Sequence, residues 1–348
     1  MRKTIGVVAA VAALAVAVGG CGSTKDTPGE GGRSASSGGS GKVGATVPLL
    51  TSPFWQAYNN YVPQMAKEAG LDALPTVNAD NNTQKQITDI NNLLNQGVKG
   101  LVVTPIDSAA IVAGLNQAER KGVPVVSVDV RPESGKVAMV VRADNKAYGT
   151  KACDVIGEKV KQGKVIQIMG DLASINGRDR SEAFRDCMKS KYPQISVLEI
   201  PAEWKAEKAA SGLEGLLTAN PDVKGIYMQA GGVYLAPTLQ ALERKGLKFP
   251  VGDAKHIVLV SNDGIPQELK AIRDGDLDAT VSQPADDYAK YGMYWLKKAM
   301  AGEKFKEGPT DHDSNVVEAS PGILEDQLPA PIVTKENVDD KALWGNTL

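Results

Sequence analysis

Val98-Lys99-Gly100-Leu101-Val102-Val103-Thr104-Pro105-Ile106-Asp107-Ser108 is a turn, an uninterrupted apolar run and a polar end punctuated by proline. A short run with no polar residue in it reads as a strand buried on both faces. Working outward, Ile87, Ile90, Leu93 and Leu94 recur at helical spacing before it and stop at Gly97. Ile111, Leu115 and Ala118 do the same after it and stop at Gly122, and Pro124 to Val128 is the next strand. Strand, helix, strand with short links predicts a parallel sheet covered on both faces.

The alternation extends in both directions. Val43 to Leu50 reads as a strand. Phe54, Tyr61 and Met65 mark the helix after it, closing at Gly70, with Pro63 expected to kink it. Further strands fall at Val165–Met169, Val197–Ile200, Gly225–Met228, Ile257–Val260 and Ala279–Val281. Val223-Lys224-Gly225-Ile226 echoes Val98-Lys99-Gly100-Leu101, each behind a helix bearing a Leu-Leu pair. With 348 residues, too many for one ordinary domain, the echo predicts two copies of one architecture.

Composition narrows the function. The chain is 42% hydrophobic and 23% charged with a formal net charge of −2. That suits a globular core and gives no electrostatic case for nucleic acid or an anionic membrane. Arg2 and Lys3 precede an apolar run from Ile5 to Val18, followed by Gly19, Gly20 and Cys21. This reads as a secretory leader over residues 1–21, too short to span a bilayer comfortably. Val18-Gly19-Gly20-Cys21 resembles a bacterial lipobox, which makes Cys21 the lipidated residue. Residues 22–42, rich in Gly and Ser, form an expected flexible tether. Cys153 and Cys187 read either as a disulfide in an oxidising compartment or as two separate buried thiols. With only His256 and His312 and no Cys-x-x-Cys, no metal site is expected.

Polar and aromatic residues crowd the strand ends, where α/β sheets bind ligands. They include Thr51-Ser52-Pro53-Phe54-Trp55, Thr104-Pro105, Val128-Asp129, Asn262-Asp263-Gly264 and Ser282-Gln283. Between them lie Arg178-Asp179-Arg180 and Pro201-Ala202-Glu203-Trp204. From about Val43 to the tail, this set resembles the ribose-binding-type periplasmic sugar receptors, relatives of the ligand-binding half of LacI-type repressors. No helix-turn-helix precedes the body, which sets the repressor reading aside.

The resemblance implies the type I periplasmic binding protein fold, α/β with two Rossmann-like lobes of parallel sheet. It places an N-terminal lobe at 43–142 plus 284–306 and a C-terminal lobe at 143–283 plus 307–348. Three crossings are expected, near Arg142–Asn145, after Gln283 and near Gly302–Asp313. It also implies the ligand residues. Phe54, Trp55 and Trp204 would stack on C–H faces of a sugar, and Asp129, Arg180 and Asp263 would take its hydroxyls. Gln283 would bind at a hinge, and Ser52 and Thr104 stand where an amide is usual. Each has a plainer reading: core packing for the rings, turn capping for the Asp residues, a surface ion pair for Arg178 or Arg180. The charged neighbours of Trp204 (Glu203, Lys205, Glu207) argue for a ring outside the core. Three positions depart from the pattern: Val130, Ala143 and the Ala230-Gly231-Gly232 stretch replace polar residues. A different pentose or hexose, or a linear sugar alcohol, is expected to suit this pocket at least as well as ribose.

The resemblance therefore implies a monomeric, lipid-anchored, extracytoplasmic receptor on a bacterial membrane, serving an ABC importer permease without cofactor or catalysis. The chain has no Gly-x-Ser-x-Gly elbow and no Walker-type loop, which weakens the enzyme reading. A receptor feeding a membrane sensor is the alternative within the same fold.

Overall fold

The computed structural model describes residues 41–347. The leader, Cys21 and the tether as far as residue 40 lie outside the described residues. The first lobe begins with β1 (Lys42–Val47), α1 (Pro53–Glu68), β2 (Asp72–Ala73), β3 (Val77–Asn78) and α2 (Thr83–Asn95). It continues with β4 (Gly100–Val103), α3 (Val112–Arg120), β5 (Val125–Val128) and β6 (Met139–Ala143). The second lobe holds α4 (Asn145–Val160), β7 (Gly163–Met169), α5 (Ile175–Lys191), β8 (Ile195–Pro201) and α6 (Ala206–Ala219). There follow β9 (Val223–Met228), α7 (Gly231–Arg244), β10 (Val258–Asp263), α8 (Pro266–Asp274) and β11 (Ala279–Ser282). The chain then returns through α9 (Ala285–Met300), β12 (Gly308–Pro309), β13 (Asn315–Ser320) and β14 (Ile323–Leu328). It finishes with β15 (Ile332–Val333) and a 3-10 turn at Trp344–Asn346.

The first sheet runs β12-β13-β14-β6-β5-β4-β1-β2, with β3 also paired to β1, and the second runs β15-β11-β10-β9-β7-β8. Pairing is parallel except for β12–β13, β13–β14 and β15–β11. The two copies of the echoed motif open β4 and β9, which lie beside β1 and β7 in their sheets. β4 is buried at every residue, the mark of a strand covered on both faces. α1 and α9 close one face of the first sheet, with Tyr58, Val62, Met293 and Leu296 against Val43, Val102 and Val126. α2 and α3 close the other with Ile90, Leu93 and Leu115. α6, α7 and α8 cover one face of the second sheet, and α4 and α5 cover the other. α1 runs on through Pro63 as one helix.

Two expected boundaries need correction. Residues 308–328 belong to the first sheet through β12, β13 and β14, not to the second lobe. The third crossing consequently lies at Pro329–Pro331, between β14 and β15, rather than at 302–313. Ser320-Pro321-Gly322 is the turn that folds β13 onto β14, with Gly322 at φ +75°. The crossings are tied together: Ser282 N donates to Pro331 O at 2.9 Å, and Ala143 N donates to the Tyr288 hydroxyl at 3.0 Å.

Cys153 on α4 is bonded to Cys187 on α5. The disulfide thus clips together the two helices that cover one face of the second sheet.

Candidate functional site

The carboxyl ends of the strands in both sheets meet at a cleft with a cavity volume of about 70 Å³. At 10–15 Å³ per water that is room for about five waters, the scale of one small ligand. From the first lobe Ser52, Phe54, Trp55 and Asp129 line it; from the second, Arg180, Trp204 and Asp263; Gln283 lines it from a crossing. Thr104 does not. It is fully buried behind Pro105 and Ile106, which line the cleft instead. Its carbonyl accepts from Gln86 Nε2 at 2.7 Å, so it secures the end of β4.

Arg180 is the fixed centre. Its Nε donates to Asn145 Oδ1 at 2.6 Å, Nη1 to Gln229 O at 2.6 Å and Nη2 to Gln283 Oε1 at 2.9 Å. A guanidinium has five N–H groups, so two remain for an acceptor. Its carbon lies 4.9 Å from the Tyr148 ring centroid and 5.7 Å from that of Trp204. Arg178 instead faces the surface, paired with Glu133 at 2.6 Å.

Asp129 and Asp263 flank this guanidinium. Asp129 Oδ1 accepts from Asn176 Nδ2 at 3.0 Å. Asp263 accepts from Gly232 N at 2.7 Å and from Gln283 Nε2 at 2.8 Å. Burial pushes the Asp129 carboxyl up, against the pull of Arg180 and Arg142. Burial likewise raises Asp263 to about 6 despite Arg180. Behind Asp263, burial and the Asp263 charge also raise Glu268. Glu268 Oε2 accepts from Gly264 N at 2.7 Å and Ile265 N at 3.0 Å, and so holds the turn that carries Asp263.

The aromatic walls differ. Phe54 is 2% exposed and meets Trp55, Tyr288 and Trp344 edge-on, at 5.0, 6.3 and 5.8 Å. It serves core and cleft together. Trp204 is half-buried, stacked near Tyr234 at 6.4 Å and 13°. Its ring lies where a Cβ on Gly170 would overlap it. The expectation of a ring clear of the core is therefore met only on one side. Of the three departures, Val130 and Ala230 line the cleft, whereas Ala143 is buried outside its lining. Arg131 turns away to Glu325 at 3.7 Å.

Sequence reasoning missed Asn81, Ser174 and Asn176, which also line the cleft. Ser174 caps α5 by accepting from Asn176 N, and a Ser opening an amphipathic run was the available signal. Backbone strain marks the same place. Among the described residues eight non-glycine residues have positive φ, and Asn81, Asp129, Trp204 and Asp263 are four of them. Such conformations cost energy and gather where a site holds side chains in set directions.

This lining can bind a neutral polyhydroxy molecule. Ionised carboxylates accept from hydroxyls, the guanidinium donates to oxygen, and ring faces take C–H surfaces. Among the described residues, no histidine, lysine or cysteine lines the cleft.

Comparison with known proteins agrees. The family model for the periplasmic binding protein domain matches residues 43–304. The chain is 28% identical over 263 residues to the ribose import binding protein of Escherichia coli, covering 75% of this chain and 86% of that one. The ribose import binding protein of Bacillus subtilis is 29% identical over 266 residues, covering 76% and 83%. An ABC transporter solute binding protein from Mycobacterium smegmatis, solved with bound glycerol, superposes with a TM-score of 0.75 at 27% identity. That match covers 86% of this chain and 96% of the other. On this match and this architecture, the chain belongs to the periplasmic binding protein family.

Proposed function

We propose that this protein is an extracytoplasmic receptor that closes its lobes over one monosaccharide or sugar alcohol and delivers it to an ABC-type importer. The observation that carries the reading is the buried row Asp129, Arg180, Asp263, set between Phe54 and Trp55 of one lobe and Trp204 of the other. That row offers acceptors and donors to hydroxyl groups, and the rings offer faces to C–H surfaces. Binding is the whole of the chemistry assigned: the ligand enters, is held and leaves unaltered. Val130 and Ala230 present alkyl surface in the cleft, which supports a ligand other than ribose. Cys21 carries the lipid that keeps the receptor at the membrane, and the body acts as a monomer.

The test is a thermal-shift panel of D-ribose, D-allose, D-fucose, xylitol and myo-inositol, with amino acids as the contrast. A ligand that binds only the folded state raises stability by RT ln(1 + [L]/Kd), about 2.7 kcal/mol at a hundred times Kd. Scattering at saturation should record compaction. A shift with amino acids and none with any sugar or polyol would overturn the reading.

A further inference from the structure

We propose that Gly232 is the position that lets the two lobes meet, and that its missing side chain sets how tightly the closed form holds its ligand. The inference rests on the two-lobe capture described above. The first turn of α7, in the second lobe, sits against the first turn of α1, in the first. A Cβ at Gly232 would lie 2.8 Å from Ser52 Oγ and 3.7 Å from the Phe54 backbone nitrogen, both in the opposite lobe. It would also lie 3.1 Å from Asp263 Oδ2 in its own lobe. Gly232 is not among the residues of positive φ, so its backbone does not call for glycine. The approach of the other lobe does.

Gly231 next to it differs. A Cβ there would overlap Glu268 Oε1 and come 2.8 Å from Asn262 O, both in its own lobe. Gly231 is therefore needed whether the cleft is open or closed, whereas the tightest contact of a side chain at 232 is with the opposite lobe, and its one contact within its own lobe is the movable end of the Asp263 carboxylate. Two more contacts surround the same point. Ile265, on the turn after Asp263, packs in the first lobe's core cluster. Trp344 stands 5.8 Å from the Phe54 ring, on a tail held to α8 by Arg273, which donates to Val338 O at 2.9 Å and Asn346 Oδ1 at 2.6 Å. Side chain added at 232 pushes α7 off α1 and draws Asp263, bonded to the Gly232 amide, away from the cleft. The Ser52 hydroxyl can rotate away from one methyl, so alanine is the mild perturbation. Valine reaches further, toward the Phe54 backbone, and is the severe one.

The experiment compares Gly232→Ala, Gly232→Val and Gly231→Ala with wild type, in urea melts without sugar and in calorimetric titrations with the five sugars and polyols above. Ligand-free Gly232→Ala should keep a melting midpoint close to wild type, because the helix propensity of alanine offsets the small shift asked of the Asp263 carboxylate. Its Kd should rise roughly 3- to 10-fold, and that of Gly232→Val roughly 100-fold, the range that overpacking produces. Gly231→Ala should lower the ligand-free melting midpoint. The proposal falls if Gly232→Ala is destabilised without sugar as Gly231→Ala is, or if Gly232→Val keeps the wild-type Kd. If wild type binds none of the five, the capture reading fails, and the melts alone decide whether residue 232 serves its own lobe's fold.

Discussion

Truncating Trp204 to alanine separates the part of the ring that belongs to the fold from the part that belongs to the ligand. One side of the ring rests on the second lobe, over Gly170 and beside Tyr234. The other side is open to the cleft, near Arg180 at 5.7 Å. A fully buried tryptophan covers roughly 200 Å². Half of that, at about 25 cal/mol per Å², puts the stability cost of Trp204→Ala at about 2.5 kcal/mol. That exceeds the value of under about 1 kcal/mol typical of a free surface ring and falls short of the 3–5 kcal/mol of a core tryptophan. The open face offers a similar area to a bound sugar, so Kd should rise by about 10- to 70-fold. Alanine inherits the backbone at φ +55°, so strain is common to both forms. Urea melts of the ligand-free protein measure the first quantity and calorimetric titration the second. A loss of 4 kcal/mol or more with unchanged Kd in the folded fraction would place the ring wholly in the core and refute the reasoning.

Affinity should weaken as pH falls through about 6, because ligand hydroxyls favour the ionised Asp263, whose pKa burial raises to about 6. The same raised pKa contributes ligand-free stability that is fully present below about 3.8 and lost as pH rises through about 6. Stability and affinity should therefore move in opposite directions between pH 4 and 6; a Kd that stays flat from pH 4.5 to 8 would contradict this. Replacing Cys153 and Cys187 together by serine opens a link of sequence separation 34. The expected loss is about 4 kcal/mol in urea melts with Kd unchanged, and a loss under about 1 kcal/mol would deny the bond a role in stability. Cys21→Ser should move the protein from the membrane fraction to the soluble fraction; retention at wild-type level would sink the lipid assignment.

The fold was legible because parallel strands buried on both faces carry short apolar runs, as at Leu101–Val103 of β4 and Val258–Val260 of β10, each set between amphipathic helical segments. The return of 308–328 to the first sheet was not, since β13 is buried at one residue of its six and so carries little periodic apolar signal. The site residues were legible wherever a strand end points its side chain into the cleft, as for Asp129 and Asp263. Thr104 failed because the chain turns at Pro105 and presents the following residues instead. Asn176 escaped notice because its role depends on partners far away in sequence, Arg142 and Asp129. Gly232 was legible only as part of a stretch that lacks polar side chains, because its approach to Ser52 and Phe54 depends on how the lobes meet.

The network around Arg142 ties the two lobes together beside Asp129. This buried residue on β6 donates to Asp129 O at 3.1 Å within its own lobe and pairs with Glu325 at 3.4 Å. Across the cleft it reaches Asn176 Oδ1 at 2.7 Å and Asp179 Oδ2 at 3.1 Å. In the opening that the proposed function requires, Arg142 would keep Glu325 and the Asp129 carbonyl and exchange those last two partners for water. A buried ion pair gains little over its hydrated parts, yet leaving one charge buried and unpaired costs about 3–5 kcal/mol. On the proposed closure, the pair across the cleft adds little to the drive, and an arrangement that leaves Asp179 buried without Arg142 is penalised. In the observed arrangement Asn176 donates to Oδ1 of Asp129 at the wall of the cleft. Closure in another register would leave Asp179 without Arg142 and move Asn176 off Asp129, so the arrangement that pairs the buried charges across the cleft is also the one that sets the carboxylate assigned to the ligand by the proposed function.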